Sequence, residues 1–312
     1  MAKVRLLFHL FGLTALILVL LVPGCSSDGS TRPLKPGTYD LHLTSDGLLR
    51  TYRLHVPPGY TGNSPYPLVI VLHGGGGTGI EMESLTGFSA LADQENFIVA
   101  YPNGYVDHHW ADGRGTTQPE IQGVNDVNFI SDLITKVCQD ANIDSTRVYA
   151  CGFSNGAIMT NLLGCDLSYR LAAIGGVSGE LAENISDHTP SQPLGVIYFH
   201  GTDDPVVPYD GGLVLGPNGG RVLSVNETML FWVEADGSDS TPSMTLLADV
   251  DPTDGTRVIH FASLNGSGDT EVHLYRVENG GHTWPDCSLI GKVTHDIDAT
   301  QLMWDFFKTQ HK

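Results

Sequence analysis

Short apolar runs recur along the chain, and stretches of mixed polarity separate them. Four runs are almost wholly apolar, at residues 68–72, 97–101, 148–151 and 194–199. Strands of this kind are typical of a central parallel sheet, because helices cover both of its faces. The segments compatible with helices lie between these runs and after them, at residues 81–94, 124–141, 155–165 and 225–235. Because strand and helix alternate, the pattern predicts an α/β fold with a doubly wound, mostly parallel sheet.

The two ends of this pattern look different from its centre. Residues 38–57 alternate between apolar and polar around a turn at 45–47, which predicts an antiparallel hairpin at the edge of the sheet. The polar segment 236–268 is predicted to form a loop and two strands. A further strand at 272–277 and a helix at 297–308 complete the pattern. We see neither a repeat nor a second domain, so we expect one domain over residues 38–312.

The N-terminus reads as an export signal. Lys3 and Arg5 precede an apolar run at residues 6–22, and the run ends at Pro23, Gly24 and Cys25. A basic start, an apolar middle and small residues at the break are the parts of a secretory signal, here residues 1–24. The alternative is a retained transmembrane helix. Because residues 22–25 resemble a bacterial lipoprotein cleavage box, we expect Cys25 to be lipidated, residues 25–37 to form a flexible tether, and the protein to act outside the cytoplasm.

The charge balance limits the classes of partner. The chain of 312 residues carries a formal charge of −19, which becomes −21 once Lys3 and Arg5 are removed with the signal. Such an acidic chain is a poor ligand for nucleic acid, and its only expected membrane contact is the N-terminal lipid. Four cysteines remain besides Cys25, namely Cys138, Cys151, Cys165 and Cys287. They could form disulfides in any of three full pairings or stay as buried thiols, and the sequence does not decide between these alternatives.

The first chemical signal is the G-x-S-x-G pattern at residues 152–156. The apolar run 148–151 leads directly into it, and helix-compatible residues follow. That strand, turn and helix context is what a nucleophile elbow requires. Gly152 and Gly156 leave room for the backbones to pass in the tight turn, and Ser154 stands at the start of the helix. We therefore predict that Ser154 is a nucleophile.

A second signal is the glycine run Gly74–Gly77, which follows His73 at the end of the strand 68–72. Acyl transfer passes through a tetrahedral anion whose oxygen needs preorganised N–H donors. A glycine loop can bring a backbone N–H to that oxygen without obstruction. We expect the amides of Gly75 and Asn155 to form this oxyanion hole, with Gly74 as the alternative to Gly75. The competing phosphate-loop interpretation lacks the required Lys-Ser/Thr ending, and His73 is interpreted as a structural hydrogen-bonding residue.

An acid and a base complete the set. Asp203 and Asp204 follow the run 194–199, and His282 lies within a Gly-Gly-His-Thr-Trp segment after the strand 272–277. The chain order Ser, then Asp, then His is that of the hydrolases that use a nucleophile elbow. His282 would accept the proton of Ser154, and the acid would orient His282. Asp203 and Asp204 remain competing candidates on physical grounds alone.

These motifs together resemble the secreted α/β-hydrolase esterases that include polyhydroxybutyrate depolymerases and feruloyl and acetylxylan esterases. The resemblance runs from about Tyr52 to the last helix and rests on the glycine loop, the elbow, the His282 segment and four further pieces, at residues 101–104, 110–115, 125–127 and 200–209. It implies an α/β-hydrolase fold without a large lid domain. Its register in the 200–209 segment assigns the acid to Asp204.

The resemblance also implies a function. We expect a serine esterase that forms an acyl-enzyme on feruloyl or acetyl esters of plant-polysaccharide fragments or small aryl esters, without a cofactor. The alternatives are a polyhydroxybutyrate depolymerase and, from another class, a non-catalytic surface-binding protein on a hydrolase scaffold. Trp110, Tyr209 and Trp284 are candidates for the substrate pocket, with core packing or loop anchoring as the alternative. We expect no metal site, since His108 and His109 lack a third partner.

Overall fold

The computed structural model describes residues 34–287 and 291–312. The predicted signal at 1–24, the lipidation site Cys25 and most of the tether therefore lie outside the described residues. Within the described ranges, none of the helices has the length and apolar character needed to span a membrane.

A ten-stranded sheet forms the centre of the fold, and a separate two-stranded ribbon accompanies it. The strands are β1 (Gly37–Ser45), β2 (Leu48–Val56), β3 (Tyr66–Leu72), β4 (Ile98–Pro102), β5 (Ile143–Phe153), β6 (Ala173–Val177), β7 (Gly195–Gly201), β8 (Gly212–Leu213), β9 (Arg221–Val222), β10 (Ser243–Leu246), β11 (Arg257–Ser263) and β12 (Val272–Glu278). The order across the sheet is β1-β2-β4-β3-β5-β6-β7-β12-β11-β10, and β8 pairs with β9 in the ribbon. The central strands β4, β3, β5, β6, β7 and β12 run parallel, whereas β1 with β2 and β10 with β11 close the two edges in antiparallel fashion.

Helices cover both faces of the sheet, as the apolar runs predict. They are α1 (Gly79–Thr86), α2 (Phe88–Glu95), α3 (Gln118–Ile121), α4 (Asp126–Asp140), α5 (Asn155–Asp166), α6 (Val225–Asp236) and α7 (Ala299–Phe307). Strand β3 is apolar throughout because its side chains enter a core on each face of the sheet. Leu68 and Ile70 belong to the core on the side of α4, α5 and α6, whereas Val69 and Val71 belong to the core with α1, α2 and α7. Successive side chains point to opposite faces, so both sets are buried.

The predicted α/β-hydrolase architecture is confirmed, with differences in detail. The helix expected at 81–94 is two helices, because Gly87 adopts a left-handed conformation (φ 67°) between α1 and α2. The sequence pattern does not predict strand β6, whose Ala-Ile-Gly-Gly-Val sequence is short and rich in glycine. The four-residue helix α3 is not predicted either. The described chain contains no insertion large enough to form a separate lid domain.

The cysteines adopt none of the three full pairings that the sequence allows. Cys138 is disulfide-bonded, but Cys151 and Cys165 are buried free thiols, and Cys287 is buried as well. Burial raises the pKa of the Cys165 thiol to about 12 and that of Cys151 further still. Both thiols therefore stay protonated and inert at neutral pH.

Candidate active site

A sharp turn between β5 and α5 holds Ser154. Its backbone adopts φ 55° and ψ −121°, a conformation that side-chain-bearing residues rarely take, and the next residue already begins the helix. A methyl group on Gly156 would lie 2.5 Å from the Leu72 carbonyl oxygen, and one on Gly152 would collide with the backbone of Gly156. Both glycines are therefore needed for the strand and helix to approach this closely.

Strand β6 supports the turn from the other side. The Ser154 N–H donates to the Val177 carbonyl oxygen at 2.9 Å. A methyl group on Gly179, just after β6, would collide with the Ser154 carbonyl oxygen. Backbone strain of this kind persists only where the surroundings over-determine it, and here hydrogen bonding and close packing act on Ser154 from both neighbouring strands.

The glycine loop after β3 reaches the same place. A methyl group on Gly75 would lie 3.6 Å from the Asn155 Cβ and one on Gly74 3.4 Å from the Ser154 Cβ. Asn155 is the first residue of α5, so its N–H has no partner within the helix. Among the described residues, neither the Gly75 nor the Asn155 N–H has a hydrogen-bond acceptor. The two residues predicted for the oxyanion hole thus lie close together.

His73 holds the glycine loop in position. Its Nε2 accepts a hydrogen bond from the Gly104 N–H at 3.0 Å, and its Nδ1 lies 2.7 Å from the Gly74 carbonyl oxygen. This pattern requires a neutral imidazole with its proton on Nδ1. Burial accordingly lowers the pKa of His73 to about 4. The geometry supports the structural interpretation of His73.

The predicted acid and base meet through a hydrogen bond. His282 Nδ1 lies 2.8 Å from Asp204 Oδ2. The other carboxylate oxygen of Asp204 accepts the N–H groups of Val206 and Val207 at 2.8 and 2.9 Å. The side chain of the neighbouring Asp203 is 45 % exposed and pairs with Lys292 instead. Of the two competing aspartates, the structure therefore brings only Asp204 to the histidine.

Asp204 is held in its ionised form. Burial by itself would raise the pKa of this carboxyl, but its hydrogen bond and charge interaction with His282 and the nearby His200 bring the pKa below the usual range. A carboxylate at this position fixes the proton of His282 on Nδ1 and leaves Nε2 as the basic nitrogen.

Ser154 and His282 line one pocket of about 210 Å³. The predicted oxyanion residues Gly75 and Asn155 line it too. Apolar side chains form much of the remaining wall, namely Ile158, Val206, Val214, Leu215 and Pro217, with His109 and Arg114 at its polar side. The pocket thus has a polar reactive end and an apolar wall, the general form of a small-molecule site.

The three aromatic residues expected in the pocket lie elsewhere. Trp110 is fully buried, and its indole N–H donates to the His73 carbonyl oxygen at 2.8 Å. Trp284 is buried in the core beside α7 and donates to Thr300 Oγ1 at 3.1 Å. Tyr209 packs edge-on against the His200 ring. The large rings contribute to core and loop packing, while smaller aliphatic side chains form the wall.

A buried polar network that the sequence pattern does not predict connects the elbow to the pocket rim. The Asn155 side chain accepts the Trp110 N–H at 2.9 Å and donates to Asp112 Oδ2 at 2.6 Å. Asp112 also pairs with Arg114, whose Nη1 donates to the Gly219 carbonyl oxygen at 2.6 Å. Asn155 therefore offers its main-chain N–H to the pocket while its side chain anchors the 110–115 loop.

A second buried network lies behind Asp204. His200 Nδ1 contacts the Glu180 carboxyl group, and its Nε2 lies 2.9 Å from the Val207 carbonyl oxygen and 3.6 Å from Asp204 Oδ2. Burial raises the pKa of Glu180. Burial alone would lower the pKa of His200, but the Glu180 and Asp204 carboxyl groups raise it above its usual value. A protonated His200 then places positive charge beside the acid.

This network has a signal in the sequence. Glu180 and His200 both stand at the carboxyl ends of apolar strands, and Val177 at the end of β6 pairs in register with Phe199 of β7. The carboxyl ends of neighbouring parallel strands share one edge of the sheet, where ligands bind in such folds. Among the residues that the structure describes, no group of three His, Cys, Asp or Glu side chains could hold a metal ion.

The fold and the site together define an α/β-hydrolase, and the comparisons with known proteins agree. Residues 61–216 match the family described as phospholipase/carboxylesterase. The chain is 30 % identical to the protein named "Putative esterase NocK" of Nocardia uniformis subsp. tsuyamanensis over 77 % of this chain and 72 % of that protein. It is 29 % identical to feruloyl esterase B of Piromyces equi over 81 % of this chain but only 44 % of that enzyme.

Among solved structures, an acetyl xylan esterase from Aspergillus awamori superposes with a TM-score of 0.61 at 18 % identity. The superposition covers 87 % of this chain and 99 % of the other and shows a shared fold. The chain belongs to the phospholipase/carboxylesterase family of α/β-hydrolases. It is a carboxylic ester hydrolase.

We predict that the Glu180→Gln substitution lowers the pKa of His200. Glutamine preserves the length of the side chain but removes the negative charge that favours the imidazolium, so His200 should lose its proton at a lower pH than in the wild type. Histidine-selective NMR across a pH titration measures this difference. The control is Glu183→Gln, which removes an exposed carboxylate paired with Arg221. An unchanged His200 titration in Glu180→Gln would contradict the prediction.

Proposed function

We propose that this chain is a serine esterase with Ser154 as nucleophile, His282 as general base and Asp204 as the acid that orients the base. The observation that carries the proposal is the hydrogen bond between His282 and Asp204 at the pocket that Ser154 lines. Asp204 is buried, bonded through both carboxylate oxygens and ionised, so it is equipped to stabilise an imidazolium.

The reaction would proceed through two transfers. Ser154 Oγ attacks the ester carbonyl carbon as His282 Nε2 takes its proton, and the carbonyl oxygen becomes an anion near the Gly75 and Asn155 N–H groups. Collapse of this intermediate breaks the ester bond, and His282 returns the proton to the departing alcohol. Water, activated by the same nitrogen, then attacks the acyl-enzyme and releases the acid and free Ser154.

We further propose that the acyl group is a feruloyl or acetyl group carried by a plant-polysaccharide fragment. The relatives whose names state a substrate support this choice, since they are called feruloyl and acetylxylan esterases. The aliphatic wall of Ile158, Val206, Val214 and Leu215 suits a neutral acyl group. Because the match covers less than half of the Piromyces enzyme, the assignment rests on this chain's own pocket as well.

Substitution of the catalytic residues tests the mechanism. We expect Ser154→Ala to lower kcat/KM on a short aryl ester by at least about 10³-fold, with an unchanged melting temperature, because the attacking oxygen is lost. A fluorophosphonate probe should label the wild type on Ser154. Retained turnover in the alanine variant, or no adduct on Ser154, would rule out the serine mechanism.

The two adjacent aspartates provide a matched pair within this test. Asp204→Asn should reduce kcat by about 10³- to 10⁴-fold, since an amide no longer stabilises the imidazolium or selects its tautomer. Asp203→Asn removes only an exposed pair with Lys292, and such pairs contribute little, so its rate should stay within about twofold. Equal losses in the two variants would remove Asp204 from its assigned role.

A comparison of substrates tests the acyl preference. We expect methyl ferulate and an acetylated xylan fragment to give higher kcat/KM than a hydroxybutyrate oligomer at equal ester concentration. The apolar pocket wall and the names of the relatives are the reasons for this order. Ser154→Ala is the blank for each substrate. A higher kcat/KM on the hydroxybutyrate oligomer would identify a depolymerase instead.

We also propose that residues 1–24 direct export and that Cys25 becomes a lipidated N-terminus. The basic start, the apolar run and the residues around Cys25 support this. In a bacterial host the full chain should appear in the membrane fraction, with lipid on the N-terminal peptide by mass spectrometry, whereas Cys25→Ser should lose the lipid. A cytoplasmic chain that begins at Met1, or a Cys25 found in a disulfide, would contradict the proposal.

A further inference from the structure

His200 and Glu180 form a buried pair directly behind Asp204. Their side chains are 0 % and 1 % exposed, and neither residue lines the pocket that Ser154 and His282 share. His200 lies in β7 and Glu180 follows β6, so the pair stands at the edge of the sheet from which Asp204 also extends. The proposed catalytic residues do not include this pair, and its position therefore needs a separate explanation.

Both ring nitrogens of His200 face oxygen acceptors. Nε2 lies 2.9 Å from the Val207 carbonyl oxygen, and Nδ1 contacts the Glu180 carboxyl group. A carbonyl oxygen only accepts hydrogen bonds, so Nε2 carries a proton. The contact at Nδ1 holds a second proton, and the Asp204 carboxylate, 3.6 Å from Nε2, favours the ring as its holder. Burial alone would lower the pKa of His200, but the two carboxyl groups raise it above its usual value.

The pair contributes little as a purely structural device. Apart from its contact with His200, neither carboxyl oxygen of Glu180 has a hydrogen-bond partner among the described residues. A buried ion pair with so few hydrogen bonds is often no more stable than apolar side chains of the same volume. Buried groups with perturbed titration behaviour cluster instead at functional sites, and this pair adjoins one.

The other polar groups around His200 do not supply a titrating charge. Tyr209 packs edge-on against the ring, and Tyr198 precedes it in β7. Burial raises the pKa of both tyrosine hydroxyl groups, so both are neutral phenols. Arg276 lies beside His200 in the neighbouring strand β12, where Glu278 pairs with it at 2.7 Å. The charge on His200 is therefore governed by Glu180 and Asp204.

Asp204 connects this charge to the base. Its Oδ2 lies 2.8 Å from His282 Nδ1 and 3.6 Å from His200 Nε2, so two imidazole rings flank one carboxylate oxygen. Glu180 is on the far side of the His200 ring, and the positive end of the pair faces Asp204. Positive charge at this point stabilises the carboxylate and opposes a second positive charge on the other ring.

We propose that Glu180 and His200 are positioning residues that extend the working range of the esterase to lower pH. The inference rests on the proposed function, since the pair acts through Asp204 on His282. Glu180 keeps the shared proton on His200, and the resulting imidazolium makes a second imidazolium at His282 less favourable. His282 is thereby a free base at a pH at which Ser154, His282 and Asp204 alone would hold it protonated.

Glu180→Gln tests the proposal because glutamine removes the charge and keeps the length of the side chain. Its amide can donate to Nδ1 of a neutral His200, while Nε2 still donates to the Val207 carbonyl oxygen and holds the loop of the acid. We expect the acidic limb of the kcat/KM profile on phenyl acetate to move up by about half a pH unit, with the alkaline plateau within about threefold of the wild type.

The control for this profile is Glu183→Gln, which removes an exposed carboxylate of the same segment and should leave the limb in place. A purely structural role of the pair predicts a different result, namely a lower melting temperature and an equal loss of rate at every pH. That result, or an acidic limb at the wild-type position in Glu180→Gln, would overturn the proposal.

His200→Gln removes the other member of the pair. We expect the same upward movement of the acidic limb, and the double variant with Glu180→Gln should move it no further, because the two residues act as one unit. Shifts that add in the double variant would show two independent effects and would contradict the proposed pathway through His200.

An NMR titration separates this proposal from the proposed function, since it needs no turnover. In the Ser154→Ala background, the added Glu180→Gln substitution should raise the midpoint of the His282 titration by about half a pH unit. If the wild type cleaves no ester, the proposed function fails, but this measurement still decides whether the pair acts on His282. An unchanged midpoint would refute the coupling between the two histidines.

Discussion

The close approach of α5 to the ends of β3 and β5 is the constraint on which the whole site depends. Gly156 packs directly on the carbonyl oxygens of Leu72 and His73, where no side chain fits. This contact puts the first turn of α5 beside the glycine loop, so Asn155 and Gly75 come together. A larger residue at position 156 would push Ser154 and Asn155 away from the glycine loop, even if the sheet itself survived.

Buried charged groups around this contact fix the neighbouring loop 110–115 in place. Asp126 bonds to Arg50 and to the Ala111 N–H, and Asp112 connects Asn155 to Arg114. Burial would make each of these carboxyl groups expensive if it were unpaired. Because each one is paired, the loop 110–115 is fixed from two sides at once. The arrangement explains why Asp112 and Arg114, although charged, lie inside the protein.

The sequence predicts the parts of this protein that depend on local patterning. Wholly apolar runs such as 68–72 reveal the parallel sheet, and the strand, turn and helix around Ser154 reveal the elbow. The choice between Asp203 and Asp204 needs three dimensions, because it depends on which neighbour faces His282. The chemistry of Trp110 and Trp284 fits either the pocket or the core, and the structure buries both. Glu180 does not stand out in the sequence, because β6 before it is short and rich in glycine.

The pocket wall at residues 214–219 is held in place differently from Ser154 and Asp204. Ser154 and Asp204 follow buried parallel strands, but the wall at residues 214–219 belongs to a surface loop that carries the exposed Leu213 and Leu215. Its attachment depends on a few hydrogen bonds, such as the one that the Arg114 side chain donates to the Gly219 carbonyl oxygen. Selection, natural or in the laboratory, can therefore lengthen, shorten or rewrite this loop to admit other acids while leaving the chemical apparatus intact. Substrate preference can therefore change through the loop 214–219 without a change in the residues held at the ends of the parallel strands.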